Sequence, residues 1–300
     1  MYLGVDIGGT AVKLGLVSAT GQLHQTKEAS VSFDQYKTPM MTTVLKTIDS
    51  FLGELNMQSH ELKGIGVSAT GQIDTTKGEV IGGGIIHWRY TPIKHILETR
   101  YQVPVSVCND ANCMVLGERW QGRAKGCQHV VGITLGTGVG GGVIVNDQLL
   151  GGCRGLAGEL GHFSLNKEGK RCACGNYGCY EQYASMTALV RRIEAVTGQS
   201  GLNGRLIFSM TDEAVKNEIS AWVEEVGCGI VSLIHLFNPT LILIGGGVSA
   251  QEKRLLEPLR EYVFSHAMPC FTEHLKIEAA TLGNHAGIIG AVYFHQKSMS

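Results

Sequence analysis

Short apolar segments recur along the chain, and turn residues separate most of them. Apolar runs of this kind are typical of strands buried in a sheet. The pattern predicts strands at residues 2–7, 12–17, 22–31, 63–68, 103–108, 128–135, 141–145, 240–244 and 274–278. Asn146-Asp147 directly follows one of these runs and predicts a hairpin turn.

Apolar residues at helical spacing lie between the strands. Residues 38–56 carry them on one face, at Met41, Val44, Leu45, Ile48, Leu52 and Leu55. Similar patterns predict helices at residues 92–101, 111–121, 183–197, 211–236, 252–266 and 285–296. The segments before Trp88 and at 150–180 are rich in turn residues. Strands that alternate with helices predict an α/β fold.

One arrangement occurs twice: a strand, a glycine turn and a second strand, near residues 2–17 and near 130–145. We interpret it as an internal duplication, with a domain boundary near 116–124. The predicted organisation is a small N-terminal lobe of residues 1–118 plus 285–300 and a large C-terminal lobe of residues 119–284. The large lobe would contain a metal-binding loop at residues 162–179.

Composition narrows the function classes. Hydrophobic residues make up 44% of the 300-residue chain and charged residues 17%, as in ordinary globular proteins. The net charge of −1 gives no reason to expect binding to nucleic acid or to an anionic membrane. The chain shows no uninterrupted apolar run of about 18 residues and no signal peptide, so we expect a cytoplasmic protein without a transmembrane helix.

A carboxylate follows the predicted strand at 103–108, in the pair Asn109-Asp110. Ligands of α/β sheets bind just beyond the carboxyl ends of such strands. We therefore interpret Asp110 as a general base at the mouth of a ligand-binding crevice. The alternative is that Asp110 only caps the helix that starts at Ala111, because Asp is a favoured N-cap residue.

Two glycine turns have the composition of phosphate-binding loops, at residues 6–10 and 134–142. The second matches G-x-G-x-x-G, but a strand rather than a helix follows it, which disfavours a dinucleotide-binding oxidoreductase. Backbone amides in such turns can hold phosphate oxygens, and Asp6 could hold a metal ion through water. A tight hairpin is the alternative. Lys13 could contact phosphate, although we favour a solvated side chain.

A third glycine turn, Gly245-Gly246-Gly247-Val248, follows the strand at 240–244. Because side chains are absent there, a flat ring such as adenine could approach the backbone. An ordinary strand-to-helix turn would explain one glycine more readily than three.

The spacing His162-x9-Cys172-x-Cys174-x4-Cys179 supplies the Cys3His ligand set of a structural zinc site. A redox pair is the alternative. Glu159 precedes His162 by three residues and Glu181 follows the last cysteine, so a metal would fix three polar groups near one another, which favours polyhydroxyl recognition. The other six cysteines are predicted to be small buried hydrophobic residues: Cys108, Cys113, Cys127, Cys153, Cys228 and Cys270.

Together these motifs resemble the ROK family of sugar kinases, over residues 2 to about 293. The similarity rests on residues 6–10, 109–112, 135–142, 155–162, 172–181 and 244–248. It implies the actin-like ATPase (ribonuclease H-like) fold, with duplicated α/β domains in two lobes and a cleft between them. The implied activity is ATP-dependent phosphorylation of a hexose, usually at the 6-hydroxyl, with Mg2+ and a structural Zn2+.

The resemblance also implies roles for individual residues. Asp110 matches the catalytic base, and the sugar contacts match Asn109, Glu159, His162 and Glu181, of which His162 is also a zinc ligand. The phosphate loops match Asp6, Gly8, Gly9, Thr10, Gly136, Thr137 and Gly138, and the adenosine side matches Gly246 and Gly247. Family members commonly form dimers or tetramers, so we expect a homodimer or homotetramer.

Substrate choice stays open between a β-glucoside kinase and a glucokinase, with an N-acetylmannosamine kinase next. Residues 109–113, 118–122 and 287–293 are similar to β-glucoside kinases. Ile85-Ile86-His87-Trp88 departs from the Asn-Leu that many family glucokinases carry near a tryptophan. A sugar-responsive transcriptional repressor of the same family is disfavoured, because no helix-turn-helix segment precedes the first strand. An inactive sugar-binding protein is disfavoured by the intact Asp110 and loops.

Overall fold

A computed structural model of the protein describes residues 1–32, 34–83, 88–249 and 251–299. The chain forms two compact units. The first consists of Met1–Lys125, Leu150–Ala157 and Asn284–Ser300, and the second of Gly126–Leu149 and Gly158–Gly283. The sequence placed the boundaries after residues 118 and 284. The segment 150–157 lies with the first unit, where the Thr75 amide and hydroxyl donate hydrogen bonds to the Arg154 carbonyl.

Strands and helices alternate along most of the described chain. The strands are β1 (Tyr2–Ile7), β2 (Ala11–Val17), β3 (Leu23–Ser30), β4 (Ile65–Ala69), β5 (Gln72–Asp74), β6 (Glu79–Gly82), β7 (Arg89–Thr91), β8 (Val105–Asn109), β9 (Val130–Leu135), β10 (Val139–Val145), β11 (Gln148–Leu149), β12 (Leu241–Gly245) and β13 (Lys276–Ala279). The helices are α1 (Met40–Glu54), α2 (Ile93–Tyr101), α3 (Asp110–Gln121), α4 (Glu181–Ala184), α5 (Met186–Thr197), α6 (Gly204–Ser209), α7 (Glu213–Phe237), α8 (Glu257–His266), α9 (Pro269–Thr272) and α10 (Ala286–Met299).

The first unit is built on a five-stranded sheet with the order β3-β2-β1-β4-β8. The three strands β1, β2 and β3 are antiparallel, whereas β4 and β8 continue the sheet parallel to β1. The register aligns Asp6 with Ser68 and Ser68 with Cys108. The carboxyl ends of three parallel strands therefore meet at one edge, where ligands of α/β sheets bind.

Within this unit, helix α10 packs very closely against α3, β4 and β1. A Cβ atom at Gly4 would lie 2.6 Å from the Ile288 carbonyl oxygen. A Cβ atom at Gly66 would lie 2.1 Å from the Ala291 carbonyl oxygen. Both distances are shorter than van der Waals contact, so the two positions require glycine for the helix to reach the sheet.

The second unit has a sheet with the order β11-β10-β9-β12-β13. Its first three strands are antiparallel, and β12 and β13 continue parallel to β9. Order and directions repeat those of the first sheet, which confirms the predicted internal duplication. Asn146 and Asp147 connect β10 to β11 with φ values of 51° and 66°. These left-handed values suit a two-residue hairpin turn and confirm that prediction.

Helix α7 is the longest helix among the described residues. By length and composition alone it could cross a membrane, and half of its most apolar window is buried inside the protein. Trp222, Val226 and Ile230 lie on its buried face, in the core of the second unit. The Trp222 indole N–H donates to the carbonyl oxygens of Ala184 and Ser185. These contacts are those of a core helix, which passes the same composition test.

Three sequence-based expectations need correction. The segment before Trp88 contains strands β5 and β6, which form an antiparallel sheet with β7 after it, rather than turns alone. The predicted helix 183–197 is divided, because Ser185 is extended and its hydroxyl caps α5 by accepting a hydrogen bond from the Ala188 amide. Among the scattered cysteines, three are exposed rather than buried: Cys153, Cys228 and Cys270.

Candidate functional site

Asp110 and Asn109 stand where β8 meets α3, in the first unit. The Asn109 side chain accepts hydrogen bonds from the amides of Ala111 and Asn112 and is therefore the N-cap of α3. Asp110 is the first residue of the helix, and its Oδ1 accepts from the Ala111 amide at 2.9 Å. The interpretation of Asp110 as the cap is wrong. Asp110 places a carboxylate in the first turn of α3, where the helix dipole favours negative charge.

Asn109 has less hydrogen-bonding capacity left than its predicted role as a sugar contact suggests. Its Oδ1 already accepts two amide bonds, and its Nδ2 donates to the Gly71 carbonyl at 3.0 Å. An Asn side chain has two acceptor lone pairs and two N–H donors. Among the described residues one N–H of Asn109 has no acceptor, so it is available to a ligand.

Asp6 and the turn after it occupy the neighbouring strand end of the same unit. The Ser68 hydroxyl donates to Asp6 Oδ1 at 2.6 Å. Burial raises the pKa of Asp6, while the Ser68 hydrogen bond and the charge of Lys13 oppose that rise. Lys13 donates to the Asn284 side chain at 3.3 Å. The turn itself closes with a hydrogen bond from the Gly8 amide to the Ala11 carbonyl.

The second glycine loop, residues 136–138, joins β9 to β10 in the second unit. A strand follows it, as predicted. The start of α5 holds the loop: the Met186 amide donates to the Gly136 carbonyl at 2.9 Å, and the Thr187 hydroxyl donates to the Thr137 carbonyl at 2.7 Å. The partial positive charge of a helix N-terminus favours anions. The hairpin geometry and a phosphate-binding role are therefore compatible.

A pocket of about 840 Å3 begins at this loop. It lies wholly within the second unit, and it has the size of a nucleotide or drug-sized ligand site. Its lining includes Leu135, Gly136, Thr137, Met186, Thr187, Val190, Arg191, Glu194, Leu202, Asn203, Gly204, Arg205, Gly247 and Val248. Gly246 has a φ of 97°, and a Cβ atom there would lie 2.2 Å from the Leu135 carbonyl, so that position requires glycine.

Our interpretation of the sequence missed the pocket residues of α5 and α6, including Met186, Arg191 and Arg205. Their nearest signal was Ser185, a residue type favoured at N-caps, directly before an apolar periodic segment. That signal predicts a helix start at 186. It does not predict that the helix start supports a loop 50 residues earlier in the chain.

The four predicted metal ligands converge in the second unit. One ligand atom from each of His162, Cys172, Cys174 and Cys179 lies within 4.8 Å of the others. The Cys174 and Cys179 sulfurs are 3.5 Å apart, and the Cys172 sulfur is 3.7 Å from His162 Nδ1. Zn–S bonds of about 2.3 Å in a tetrahedron place ligand atoms roughly 3.7 Å apart. The donor set and its spacing therefore fit zinc.

Electrostatics oppose ionisation of two of the three thiols, whereas the Asn176 backbone amide lowers the pKa of the third, Cys174. Burial raises the pKa of the Cys172 thiol, and burial with the adjacent thiols raises the pKa of Cys179 to about 12. A cation would offset the cost of ionising these thiols. Tyr180 secures the loop to α7, because its buried phenol donates to the Val226 carbonyl at 2.7 Å.

Glu159 and Glu181 flank His162, as the sequence predicted from their spacing. Glu159 Oε2 is 3.9 Å from His162 Nε2, and Glu181 Oε1 is 3.8 Å from Nδ1. Burial raises the pKa of Glu159. Glu181 also reaches the second glycine loop, since a Cβ atom at Gly138 would lie 2.6 Å from Glu181 Oε2. The unit thus joins the metal cluster, two carboxylates and a glycine loop.

Comparison with known proteins gives the family. The ROK family model matches residues 2–298. The chain belongs to the ROK family. A ROK relative, the glucokinase of Halalkalibacterium halodurans, is 35% identical over 96% of this chain and 93% of its own length. The β-glucoside kinase of Klebsiella pneumoniae is 33% identical over 96% and 93%. ROK relatives also include a putative xylose repressor from Caldicellulosiruptor, 26% identical over 97% of this chain and 77% of its own length.

A solved ROK structure shows the same fold. The ROK glucokinase of Streptomyces griseus, in complex with glucose and AMPPNP, has a TM-score of 0.84 and 30% identity, covering 99% of both chains. The comparison confirms the predicted actin-like α/β fold with duplicated domains. The sequence departure at residues 85–87 lies outside the described residues. Trp88 beside it is buried, and its indole nitrogen has no hydrogen-bond partner among the described residues.

Proposed function

We propose that this ROK protein is an ATP-dependent sugar kinase. It would transfer the γ-phosphate of ATP to the 6-hydroxyl of a hexose or of a β-glucoside. The observation that carries the proposal is the pocket of about 840 Å3 that opens at the glycine loop 136–138, on the N-terminus of α5. A pocket for a base and ribose that ends at amides and a helix dipole suits a nucleotide polyphosphate.

Asp110 would be the general base. As the sugar oxygen attacks the γ-phosphorus, its proton passes to the Asp110 carboxylate, the new O–P bond forms, and the bond to the β-phosphate oxygen breaks to release ADP. Two features support this role. Asp110 lies just past a parallel strand, and the cap role belongs to Asn109, so the helix start does not depend on the Asp110 side chain as its cap.

Magnesium ion would neutralise charge on the phosphate oxygens when bound. Asp6 is the residue we assign to it, through water. The Asp6 carboxylate suits this ion, because burial raises its pKa and a nearby cation would offset that rise. The backbone amides of Gly9 and Thr10 would contact phosphate oxygens, whereas the Gly8 amide is bonded to the Ala11 carbonyl and shapes the turn.

The sugar would be held by residues that the metal cluster positions. Glu159 and Glu181 can accept hydrogen bonds from hydroxyls, and His162 Nε2 is directed towards Glu159. Bound Zn2+ would serve as a structural ion that fixes these side chains, held by His162, Cys172, Cys174 and Cys179. Asn109 would add one N–H donor.

The test is ADP release with Mg-ATP against glucose, mannose, N-acetylmannosamine, N-acetylglucosamine, allose, cellobiose and gentiobiose. Turnover with the disaccharides identifies a β-glucoside kinase. Turnover with one monosaccharide alone identifies a glucokinase or an N-acetylmannosamine kinase. The β-glucoside kinase and the glucokinase among the relatives are similar to this chain to nearly the same degree, at 33% and 35% identity. Sequence identity therefore does not separate these two activities.

A repressor of the same family is the second candidate, because xylose repressors align with almost the whole chain. It predicts sugar binding without ADP release. Absence of turnover with every sugar in the panel, by zinc-loaded folded protein, would contradict the kinase proposal. We further propose that the protein is cytoplasmic. We also propose that it forms a homodimer or homotetramer, and light scattering of the purified protein checks this assembly.

A further inference from the structure

A short turn beside the first glycine loop has an unusual backbone. Gln35 and Tyr36 are adjacent and have φ values of 60° and 62°. Side chains destabilise this left-handed conformation, so two such residues in sequence persist only where their surroundings hold them. The Asp34 carboxylate holds the turn through one oxygen, Oδ2. This oxygen accepts hydrogen bonds from the Thr38 amide at 2.8 Å and from the Thr38 hydroxyl at 2.6 Å.

A buried oxygen atom without a partner also destabilises this turn. The other oxygen of Asp34, Oδ1, is buried and has no hydrogen-bond partner among the described residues. A buried acceptor without a partner destabilises a fold and calls for an explanation. The hydrogen bonds that Lys37 and Thr38 donate to Asp34 within the segment do not involve the Tyr36 side chain.

The conformation brings the Tyr36 side chain to the glycine loop. The Tyr36 hydroxyl donates a hydrogen bond of 2.5 Å to the Gly9 carbonyl. The peptide bonds here are trans, so a carbonyl and the next amide N–H point to opposite sides. The bond from Tyr36 therefore directs the Thr10 N–H away from the tyrosine.

Neighbouring contacts fix the rest of the loop. The Thr10 carbonyl accepts hydrogen bonds from the Val31 amide at 3.0 Å and from the Ser30 hydroxyl at 3.4 Å. The Gly8 amide is bonded to the Ala11 carbonyl. The Thr10 amide, in contrast, has no acceptor among the described residues, and Thr10 is exposed. The loop thus presents an oriented amide, that of Thr10, which no acceptor among the described residues uses.

We propose that Tyr36 is a positioning residue for the phosphate donor, which it serves by orienting the Gly9–Thr10 peptide. This inference rests on the proposed function, in which the loop at residues 8–10 binds nucleotide phosphates. Tyr36 itself does not contact the reacting atoms. It holds the amide in its binding orientation before the nucleotide arrives, so less order has to be imposed on binding.

The experiment compares the wild-type protein with Tyr36→Phe and with Tyr90→Phe. Tyr90 lies in the same unit, also has a positive φ, and is 75% exposed, which makes it a matched control. We expect Tyr36→Phe to raise the KM for ATP and the Kd for ADP by roughly three- to tenfold, the size of one net hydrogen bond. The KM for sugar and the Tm of the ligand-free protein should change little. Tyr90→Phe should match wild type throughout.

Two results would overturn the inference while kinase activity stands. One is an unchanged KM for ATP and Kd for ADP in Tyr36→Phe. The other is a joint shift of ATP KM, sugar KM and Tm, which would show that Tyr36 only stabilises the fold.

Calorimetric titration with ADP and with Mg-ATP keeps the test independent of turnover. If wild type binds nucleotide but phosphorylates no sugar, weaker binding by Tyr36→Phe still supports the inference while the proposed transfer fails. If wild type binds no nucleotide, both proposals are wrong.

Discussion

The two units use one sheet topology for different chemical tasks. Each begins with two antiparallel strands joined by a glycine turn and continues with two further parallel strands. Asp6 stands two residues before the turn of the first unit, and Thr134 stands two residues before the turn of the second. The two carboxylates to which we assign roles in the transfer, Asp6 and Asp110, are in the first unit, whereas the pocket and the metal cluster are in the second.

The turns are also supported differently. In the second unit, the backbone and a hydroxyl at the start of α5 hold the loop 136–138. In the first unit, the hydroxyls of Tyr36 and Ser30 donate to the Gly9 and Thr10 carbonyls of the corresponding loop. A duplicated sheet therefore fixes where a glycine turn lies, while unrelated local elements determine how it is oriented.

Replacing Asp110 by Asn should produce the largest effect and would test whether base chemistry belongs to the first unit. We expect kcat to fall by about 10²–10⁴-fold, the usual contribution of a general base, with sugar affinity nearly unchanged. Steady-state kinetics and sugar titration measure the two quantities. Asp212→Asn is the control, because Asp212 is the N-cap of α7 and Asn caps equally well. Turnover at the wild-type rate in Asp110→Asn would remove the assigned role.

Disrupting the metal cluster should remove zinc from the second unit and weaken sugar binding. In Cys179→Ser, we expect bound zinc to fall from about one equivalent per chain to near zero, because structural zinc needs all four ligands. Metal analysis by mass spectrometry measures it. The sugar KM should rise as Glu159 and Glu181 lose their fixed positions.

Cys228→Ser controls for loss of any thiol, since Cys228 is exposed in the same unit and outside the cluster. A Cys179→Ser protein that keeps a full equivalent of zinc would contradict the ligand set. So would wild-type protein that binds no zinc when it is supplied.

The smallest effect we predict is a pH dependence confined to the first unit. His295 is buried there, with Nδ1 3.0 Å from the Ser106 hydroxyl, and Lys94 and Glu98 are the charged groups that act on it. Burial lowers the pKa of His295. The unfolded chain therefore binds a proton more readily, and stability should fall as pH drops below about 6.5, by at most about 1.4 kcal/mol per pH unit.

Calorimetric Tm values at pH 7.5 and 5.5 test this effect. His295→Gln should reduce the loss of Tm between the two pH values, whereas replacement of the exposed His60 by Gln should not. An equal loss in wild type and His295→Gln would assign the pH dependence to other groups.

Local patterns predicted most of the fold because its strands and helices are regular. The apolar runs that became β1, β4, β8, β9 and β12 lie in buried sheets, and Asn146-Asp147 marked its hairpin directly. The small sheet β5-β6-β7 was missed because its strands are short and turn residues such as Thr75 to Gly78 interrupt any alternation. Its stability comes from packing, which a local pattern does not contain.

The candidate site was likewise predicted only where its residues are close in sequence. Ligand spacing within eighteen residues predicted the cysteine cluster, because the ligands are close in sequence as well as in space. Asn109 and Asp110 are both good caps, so sequence alone could not tell which of them takes that role. Tyr36 was missed because it bonds to a loop that is distant in sequence. Arg191 was missed because the pocket that it lines is formed with residues distant in sequence.

The placement of α10 has a consequence for how the chain is made. This helix, residues 286–299, supplies the surface that meets Gly4 and Gly66 in the first unit, whereas the second unit ends at Gly283. During translation, strands β1 and β4 leave the ribosome early, but they stay uncovered until α10 has been synthesised. We therefore expect the second unit to complete its structure before the first, the reverse of the order in which their leading strands are synthesised.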